Sequence, residues 1–137
     1  MADRVKKVDY YKIETSSKAG EGARVLGALK EGNVNLVAFT GFPRGRRTQM
    51  DFIPENGAAF RKAAKKAGLK FSKKKTGFLV QGKDKVGAIA AILTKLADAK
   101  INVTAMNAVS SGKGRYGAIF WVKPQSVSKA AKALGAS

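Results

Sequence analysis

Apolar residues in the second half of the chain change their spacing from segment to segment. Residues 77–81 form a short apolar run bounded by glycines, which is typical of a buried strand. Residues 86–99 repeat apolar side chains at helical spacing and predict an amphipathic helix with Asp84 as its N-cap. Residues 101–110 and 115–123 predict two strands joined by a hairpin. A second amphipathic helix is predicted after Pro124, with apolar positions at Val127, Ala130, Ala131 and Leu134.

The first half of the chain shows the same order of elements. It predicts a strand at 9–15, a helix at 22–31, strands at 34–42 and 47–53, a helix at 57–67 and a further strand at 69–72. The order is therefore βαββαβ followed by βαββα. No segment of the second half presents itself as that copy's last strand.

The two halves of the chain also resemble each other in sequence, as an internal repeat. Residues 18–42 align with residues 85–109 without a gap, so that matched positions lie 67 residues apart. Pro54 aligns with Pro124 if the second copy has three extra residues in its turn at 110–114. The repeat predicts a duplicated chain, with one module at 1–75 and a second at 76–137. The matched apolar or identical pairs include Gly20 with Gly87, Leu26 with Leu93, Val34 with Ile101, and Asn35 with Asn102.

Strand alternation predicts which side chains meet the helices. In each copy, one face of the second strand is predicted to pack on the helices. The opposite face is apolar enough that we expect it to pack on another sheet or subunit. The predicted helix-facing positions are Val34, Leu36, Ala38 and Phe42 in the first copy, and Ile101, Val103, Ala105 and Val109 in the second.

The amino-acid composition excludes several kinds of catalytic and metal-binding site. The chain has no cysteine and no histidine, which excludes disulfides, thiolate nucleophiles, Cys/His zinc sites and imidazole acid–base catalysis. Its nine carboxylates are scattered and suggest neither a metal site nor paired acid–base residues. No apolar run reaches the length of a membrane span. We therefore expect a cytoplasmic protein that is not an enzyme, has no cofactor or metal and does not bind a membrane.

The net charge of +18 leaves two interpretations open. The charge either keeps the surface soluble or attracts a polyanion such as nucleic acid. Residues 61–75 carry eight positive charges and no negative one. The βαββαβ order is also that of the RNA recognition motif, but Ala118 stands where a second stacking ring is needed. The candidate polyanion-binding residues are Arg44, Arg46 and Arg47 at one predicted hairpin tip, with Lys113 and Arg115 at the other.

Two short motifs resemble the D-x-P-G…G-I-N-I signature of ACT domains. The second copy has Asp84-Lys85-Val86-Gly87 before its helix and Lys100-Ile101-Asn102-Val103 after it. The first copy has Ser17-Lys18-Ala19-Gly20 and Asn33-Val34-Asn35-Leu36 at the same places. The resemblance implies an α+β fold of two ferredoxin-like βαββαβ modules, with antiparallel sheets and helices packed on one face. The family's proline is replaced by Val86 and Ala19, and its later glycine by Lys100 and Asn33.

The resemblance also implies a function. ACT domains are regulatory modules that pair side by side and bind amino acids at the interface between two copies, so we expect an amino-acid ligand at the interface between the two modules, with further pairing of the chain into a homodimer. Glycines let a ligand approach the backbone, and asparagines offer both a donor and an acceptor. The alternatives are that the glycines only permit packing, that Asp84 is only a cap, and that the asparagines only close a helix. The candidate ligand-binding residues are Ser17, Ala19, Gly20 and Asn35, with Asp84, Val86, Gly87 and Asn102.

Overall fold

The computed structural model describes residues 3–136 as two compact α+β units. The first module is Asp9–Lys75, and the second module comprises the chain on either side of it, up to Val8 and from Thr76 onwards. None of the helices within residues 3–136 has the length and apolarity that a membrane crossing requires. The elements are β1 (Arg4–Ser16), α1 (Glu21–Glu31), β2 (Leu36–Arg44), β3 (Arg47–Pro54), α2 (Gly57–Lys66), β4 (Lys75–Lys83), α3 (Ala88–Asp98), β5 (Val103–Gly112), β6 (Arg115–Val122) and α4 (Val127–Leu134).

The first module is an antiparallel sheet in the order β2-β3-β1, with α1 and α2 packed on one face. Tyr11 and Phe60 stack with their ring centroids 4.8 Å apart, and Phe52 lies 5.6 Å from Phe60. These three rings are buried together with Val25 and Leu29 of α1. Burial of such large side chains is the main stabilising contribution to this module.

The second module has the strand order β1-β4-β6-β5, with α3 and α4 on one face. Val5, from the beginning of β1, belongs to its core with Phe78 and Phe120, whose ring centroids are 5.0 Å apart. The beginning of β1 therefore supplies the strand that the sequence left unassigned in the second copy. It could not be assigned because it precedes the first copy in the chain, at the other end from the segment it completes.

The strand predicted at 69–72 is not formed. Leu69 and Phe71 pack against the core of the first module. The backbone N–H of Ser72 donates to the carbonyl of Lys12 at 2.9 Å, and the Ser72 hydroxyl accepts from the N–H of Lys12 at 2.9 Å. A side-chain oxygen thus takes the place of a backbone acceptor, so the segment follows β1 without forming a regular ladder.

Both second strands contain a bulge at the same repeat position, and this overturns part of the predicted alternation. The register shifts between Leu36 and Ala38 in β2 and between Val103 and Ala105 in β5. An inserted residue reverses which face the following side chains occupy. Phe39 consequently packs on Phe52, with ring centroids 5.3 Å apart. Val34, Leu36, Ile101 and Val103 face the helices as predicted, whereas the prediction is wrong for Ala38, Phe42, Ala105 and Val109.

The hairpin registers also correct the sequence alignment of the two copies. Ala38 lies opposite Ile53, and Ala105 lies opposite Trp121, so the second hairpin is one residue longer and not three. Pro54 lies opposite Leu36, and its equivalent opposite Val103 is Val122 instead of Pro124. The remaining extra residues lie in a 3-10 turn, Pro124–Ser126, before α4.

The sheet face away from the helices differs between the modules. In the second module, Leu79 lies opposite Ile119, and both are buried. The equivalent pair in the first module is Lys12 opposite Asp51, whose side chain is only 6% exposed. Burial raises the pKa of the Asp51 carboxyl, although a hydrogen bond from Gln49 and nearby lysines act in the opposite direction.

Candidate functional site

The loops before α1 and α3 have the same backbone geometry. Gly20 and Gly87 are the N-cap residues of these helices, with φ of 91° and 81° in the left-handed region that favours glycine. Asp84 is not an N-cap, contrary to the sequence prediction. It lies three residues earlier, and its N–H donates to the carbonyl of Gly114 at 2.8 Å. The turn at Gly87 starts the helix, so Asp84 remains beside the hairpin tip.

Each helix-preceding loop lies against the hairpin tip of its own module. In the first module, the Ser17 hydroxyl donates to the carbonyl of Arg46 at 3.1 Å. In the second module, the hydrogen bond from Asp84 to Gly114 likewise holds the loop before α3 against the hairpin tip. The candidate residues at this edge, which we call the tip edge of each module, are exposed: Ser17, Ala19 and Gly20 in the first module, and Asp84, Val86 and Gly87 in the second.

The predicted polyanion-binding residues occupy the same tip edges. Arg44 donates to the side-chain oxygen of Gln49 at 2.9 Å, and Arg47 donates to the carbonyl of Glu14 at 3.2 Å. These two guanidinium groups are therefore partly used within the protein. Arg46, Lys113 and Arg115 are exposed at the tips.

The start of α1 already carries a negative charge. Glu21 forms an ion pair with Arg24, with 2.8 Å between Oε2 and Nε. The hydrogen bond from Arg24 lowers the pKa of the Glu21 carboxyl, so the carboxylate persists at the helix N-terminus. This charge reduces the attraction of that N-terminus for another anion. The first turn of α3 contains no acidic residue.

The two asparagine candidates lie at the opposite edge of the sheet from these loops. Leu36 pairs with Pro54 at one end of the hairpin, and Arg44 pairs with Arg47 at the other. Because a strand rises about 3.3 Å per residue, the two ends of this hairpin, which β3 connects, lie about 23 Å apart. Asn35 is therefore remote from Gly20 within the first module. In the second module, the pairing of Val103 with Val122 likewise places Asn102 at the end of the hairpin that is far from Gly87. A single module does not bring the predicted site residues together.

Asn35 forms part of a groove at this second edge. Its side-chain Nδ2 donates to Glu55 Oε2 at 3.1 Å, while the N–H of Glu55 donates to the carbonyl of Asn35 at 2.9 Å. The pair fixes the start of β2 to the residue that follows β3. The groove has a volume of about 360 Å³ and is lined by Leu26, Leu29, Lys30, Asn33, Val34, Asn35 and Leu36.

The backbone that leaves α1 shapes this groove. Asn33 has φ of 57°, and the N–H of Val34 donates to the carbonyl of Leu29 at 3.0 Å, which turns the chain back into β2. Lys100 has φ of 60° at the equivalent position, where Ile101 donates to Leu96 at 2.9 Å. The left-handed position of the family motif is thus kept without its glycine. Asn33 and Lys100, and not Asn35 and Asn102, close the helices.

Sequence reasoning found Asn35 but missed two charged residues at this edge, Lys30 and Glu55. Lys30 lies in the last turn of α1 and lines the groove. Glu55 directly follows Pro54, and the hairpin register places it beside Asn35. Counting that register back from the turn would have identified Glu55. No cluster of three or more metal-ligating side chains occurs in the described part of the chain.

The two modules together form a tandem of ferredoxin-like α+β units. Residues 78–136, which make up most of the second module, match the ACT domain family, a family of regulatory modules. The first module repeats its element order and its bulge. No curated protein has a sequence that matches this chain.

Solved structures share the architecture across nearly the whole chain. A protein from Bacteroides thetaiotaomicron is 16% identical with a TM-score of 0.83, over 96% of this chain and 88% of that one. The regulatory subunit of aspartate kinase from Thermus thermophilus is 15% identical with a TM-score of 0.66, over 98% of this chain and 95% of that one. Aspartate kinase from Clostridium acetobutylicum is 15% identical with a TM-score of 0.57, over 97% of this chain and 33% of that enzyme. At these identities the likeness establishes the fold.

Proposed function

We propose that this protein is a regulatory or sensor protein that binds a free amino acid at the Asn35 groove. The observation that carries the proposal is the position of Asn35, which lines a groove of about 360 Å³ and is bonded to Glu55. The ACT domain in the second module supports a regulatory role. The proposed function is binding without catalysis.

The groove and Glu55, which is bonded to the groove residue Asn35, together offer a partner for each part of an amino acid. The Glu55 carboxylate attracts an ammonium group, and the Lys30 side chain attracts a carboxylate. The Asn35 amide supplies a donor and an acceptor between them. Leucine and valine side chains form the apolar part of the lining. Such a combination of an apolar surface with a few polar groups is typical of small-molecule sites.

The resemblance to ACT domains implies that a helix-preceding loop of another module lies against the strand start. We propose that a second copy of the chain contributes this wall in a homodimer, with Ser17, Ala19 and Gly20 as its contact residues. We propose Asp84, Val86, Gly87 and Asn102 as the repeat-related surface of the second module. Regulation follows by linkage, because a ligand that prefers one arrangement of modules shifts the population that a partner protein senses.

A thermal-shift screen of the whole protein against the twenty amino acids tests this proposal. A ligand that binds only the folded state stabilises it by RT ln(1 + [L]/Kd), which is about 2.7 kcal/mol at a ligand concentration of a hundred times Kd. We expect at least one amino acid to raise the melting temperature, and Asn35→Ala to abolish the shift. The exposed strand residue Asn107 provides the control, since Asn107→Ala should leave the shift unchanged. The absence of a shift with every amino acid would overturn the proposal.

Polyanion binding at the tip edges is a second candidate function. It is favoured by the exposed cations Arg46, Lys113 and Arg115, which occupy equivalent hairpin tips in the two modules. Stacking on single-stranded bases is less favoured, because Trp121 is buried and Phe39 packs towards the helices. Binding of a mixed-sequence RNA that persists at about 0.15 M salt, and weakens with Arg46→Ala, would support this function. Binding confined to low salt would count against it.

A further inference from the structure

We infer that the two modules are not equivalent binding sites: the first module takes a zwitterionic amino acid with an aliphatic side chain, and the second lacks the ammonium-binding group. This inference rests on the proposed function and adds the ligand class and the number of sites. It follows from comparing the edge at Asn35 with the repeat-related edge at Asn102.

The register of the two hairpins shows which residue replaces Glu55. In the first module, Leu36 lies opposite Pro54, and the next residue outward, Asn35, accepts a backbone bond from Glu55. In the second module, Val103 lies opposite Val122. The next residue after Val122 is Lys123, so the position that holds a carboxylate beside Asn35 holds an ammonium group in the second module.

Two further positions change in the same direction. Lys30, which lines the groove, is replaced by Ala97, and Asn33 is replaced by Lys100. The first module thus presents one carboxylate and one ammonium group around its asparagine. The second module presents the two ammonium groups of Lys100 and Lys123 and no carboxylate at the corresponding positions. A ligand ammonium finds a counter-charge only in the first arrangement.

The residues that close the two helices also differ in charge. Both α1 and α3 end at these edges, and the carbonyl groups at a helix C-terminus favour a positive charge. Lys100 already supplies that charge at the end of α3, with its backbone in the left-handed turn. At the end of α1 the corresponding residue is the neutral Asn33. The positive charge of α1 is instead Lys30 in its last turn, which lines the groove, so Glu55 is the group that attracts a ligand ammonium.

The remaining lining of the first groove determines the side-chain class. The groove is lined by three half-buried apolar side chains, those of Leu26, Val34 and Leu36, whose remaining exposed surface faces the groove. An aliphatic ligand side chain removes this surface from water, with a gain of about 25 cal/mol per Å² of apolar area buried. No charged residue of the lining other than Lys30 could pair with a charged ligand side chain.

Isothermal titration of the full chain with L-leucine measures both the affinity and the number of sites. We expect one site per chain, at least about tenfold weaker binding with Glu55→Gln, and loss of binding with Glu55→Lys. The matched change in the second module, Lys123→Gln, should leave the affinity unchanged. Isoamylamine and 4-methylpentanoate, which lack the carboxylate and the ammonium group of leucine, should both bind more weakly than leucine.

The outcomes separate this inference from the proposed function. Two equal sites per chain, or binding that is insensitive to Glu55→Gln but lost in Lys123→Gln, would overturn the inference and leave amino-acid binding standing. Preferential binding of amino acids with charged side chains would overturn the ligand class. Failure of leucine and of every other amino acid to bind would overturn both. Because Glu55 is exposed, the variants should keep their circular dichroism spectra, and retained spectra validate each comparison.

Discussion

The hydroxyl of Tyr116 donates a 2.6 Å hydrogen bond to a carboxylate oxygen of Asp3, which lies 113 residues earlier in the chain. Burial, followed by the contact with Asp3, raises the pKa of the Tyr116 phenol, so the hydroxyl remains protonated and can donate. Gly82 pairs with Tyr116 across β4 and β6. Within the second module, the three residues attach the segment before β1 to β4 and β6.

Replacing Gly82 should destabilise this attachment. A Cβ at Gly82 would overlap the Asp3 carboxylate oxygen, whereas a Cβ at Gly117 meets no atom closer than 3.8 Å. We expect Gly82→Ala to lower the free energy of unfolding by about 1–3 kcal/mol, as overpacking does. Gly117→Ala, on the neighbouring strand, should change it by less. Urea unfolding of the two variants compares them, and equal effects would contradict the role of the glycine.

Asp51 should make the stability of the protein depend on pH in a defined direction. Its pKa is raised by burial, so the folded state holds the proton more tightly than the unfolded state does. The contribution of Asp51 to stability therefore falls as the pH rises from its unfolded pKa through its folded pKa. We expect the unfolding free energy of Asp51→Asn, minus that of the parent, to increase with pH across this acidic range. A difference that stays constant or decreases would show that Asp51 ionises without penalty.

The N-terminus of α2 should depend on its cap. Asn56 is extended and its side-chain oxygen accepts from the N–H of Ala59 at 3.1 Å. Asn56→Ala should cost about 1 kcal/mol, the typical contribution of such a cap. Ser126 is the N-cap of α4 but makes no side-chain cap bond, so Ser126→Ala should cost much less. Chemical unfolding of both variants tests the difference, which would vanish if the Asn56 bond contributes nothing.

The left-handed residues that close α1 and α3 should respond differently to glycine. Lys100 and Asn33 have φ of 60° and 57°, where a lysine is less favourable than an asparagine. We expect Lys100→Gly to raise the unfolding free energy by about 1 kcal/mol, and Asn33→Gly to change it by less. Thermal unfolding measures both changes. Equal gains would indicate that the asparagine side chain offers no advantage at this backbone geometry.

The order of helices and strands could be predicted because each module repeats the same apolar spacing on local segments. Helices α1, α2 and α3 and the two hairpins lie where that spacing places them. The internal repeat also predicted the α+β duplication, and the motifs around Gly87 and Asn102 indicated the ACT domain family, whose model matches residues 78–136. These features depend on residues that are close together in the sequence.

The remaining features depend on partners that the sequence does not bring together. The bulges after Leu36 and Val103 leave no signal in the spacing of apolar residues, yet they turn every later side chain of the strand to the opposite face of the sheet. The role of β1 in the second module requires Val5 to meet Phe78, a contact that no local pattern encodes. Glu55 became part of the candidate site only through the hairpin register that places it beside Asn35. The site was therefore predicted in part, from the asparagine and without its charged neighbours.

Amide chemical-shift mapping during titration with the amino acid that gives the largest thermal shift tests the central claim most directly. The account predicts that the perturbed resonances cluster at residues 30–36 and at Glu55, and that they saturate at one ligand per chain. Perturbations confined to the tip edges, around Arg46 and Lys113, would contradict it. A spectrum in which the amides of Asn35 and Glu55 remain unchanged at saturation would show that the amino acid binds elsewhere.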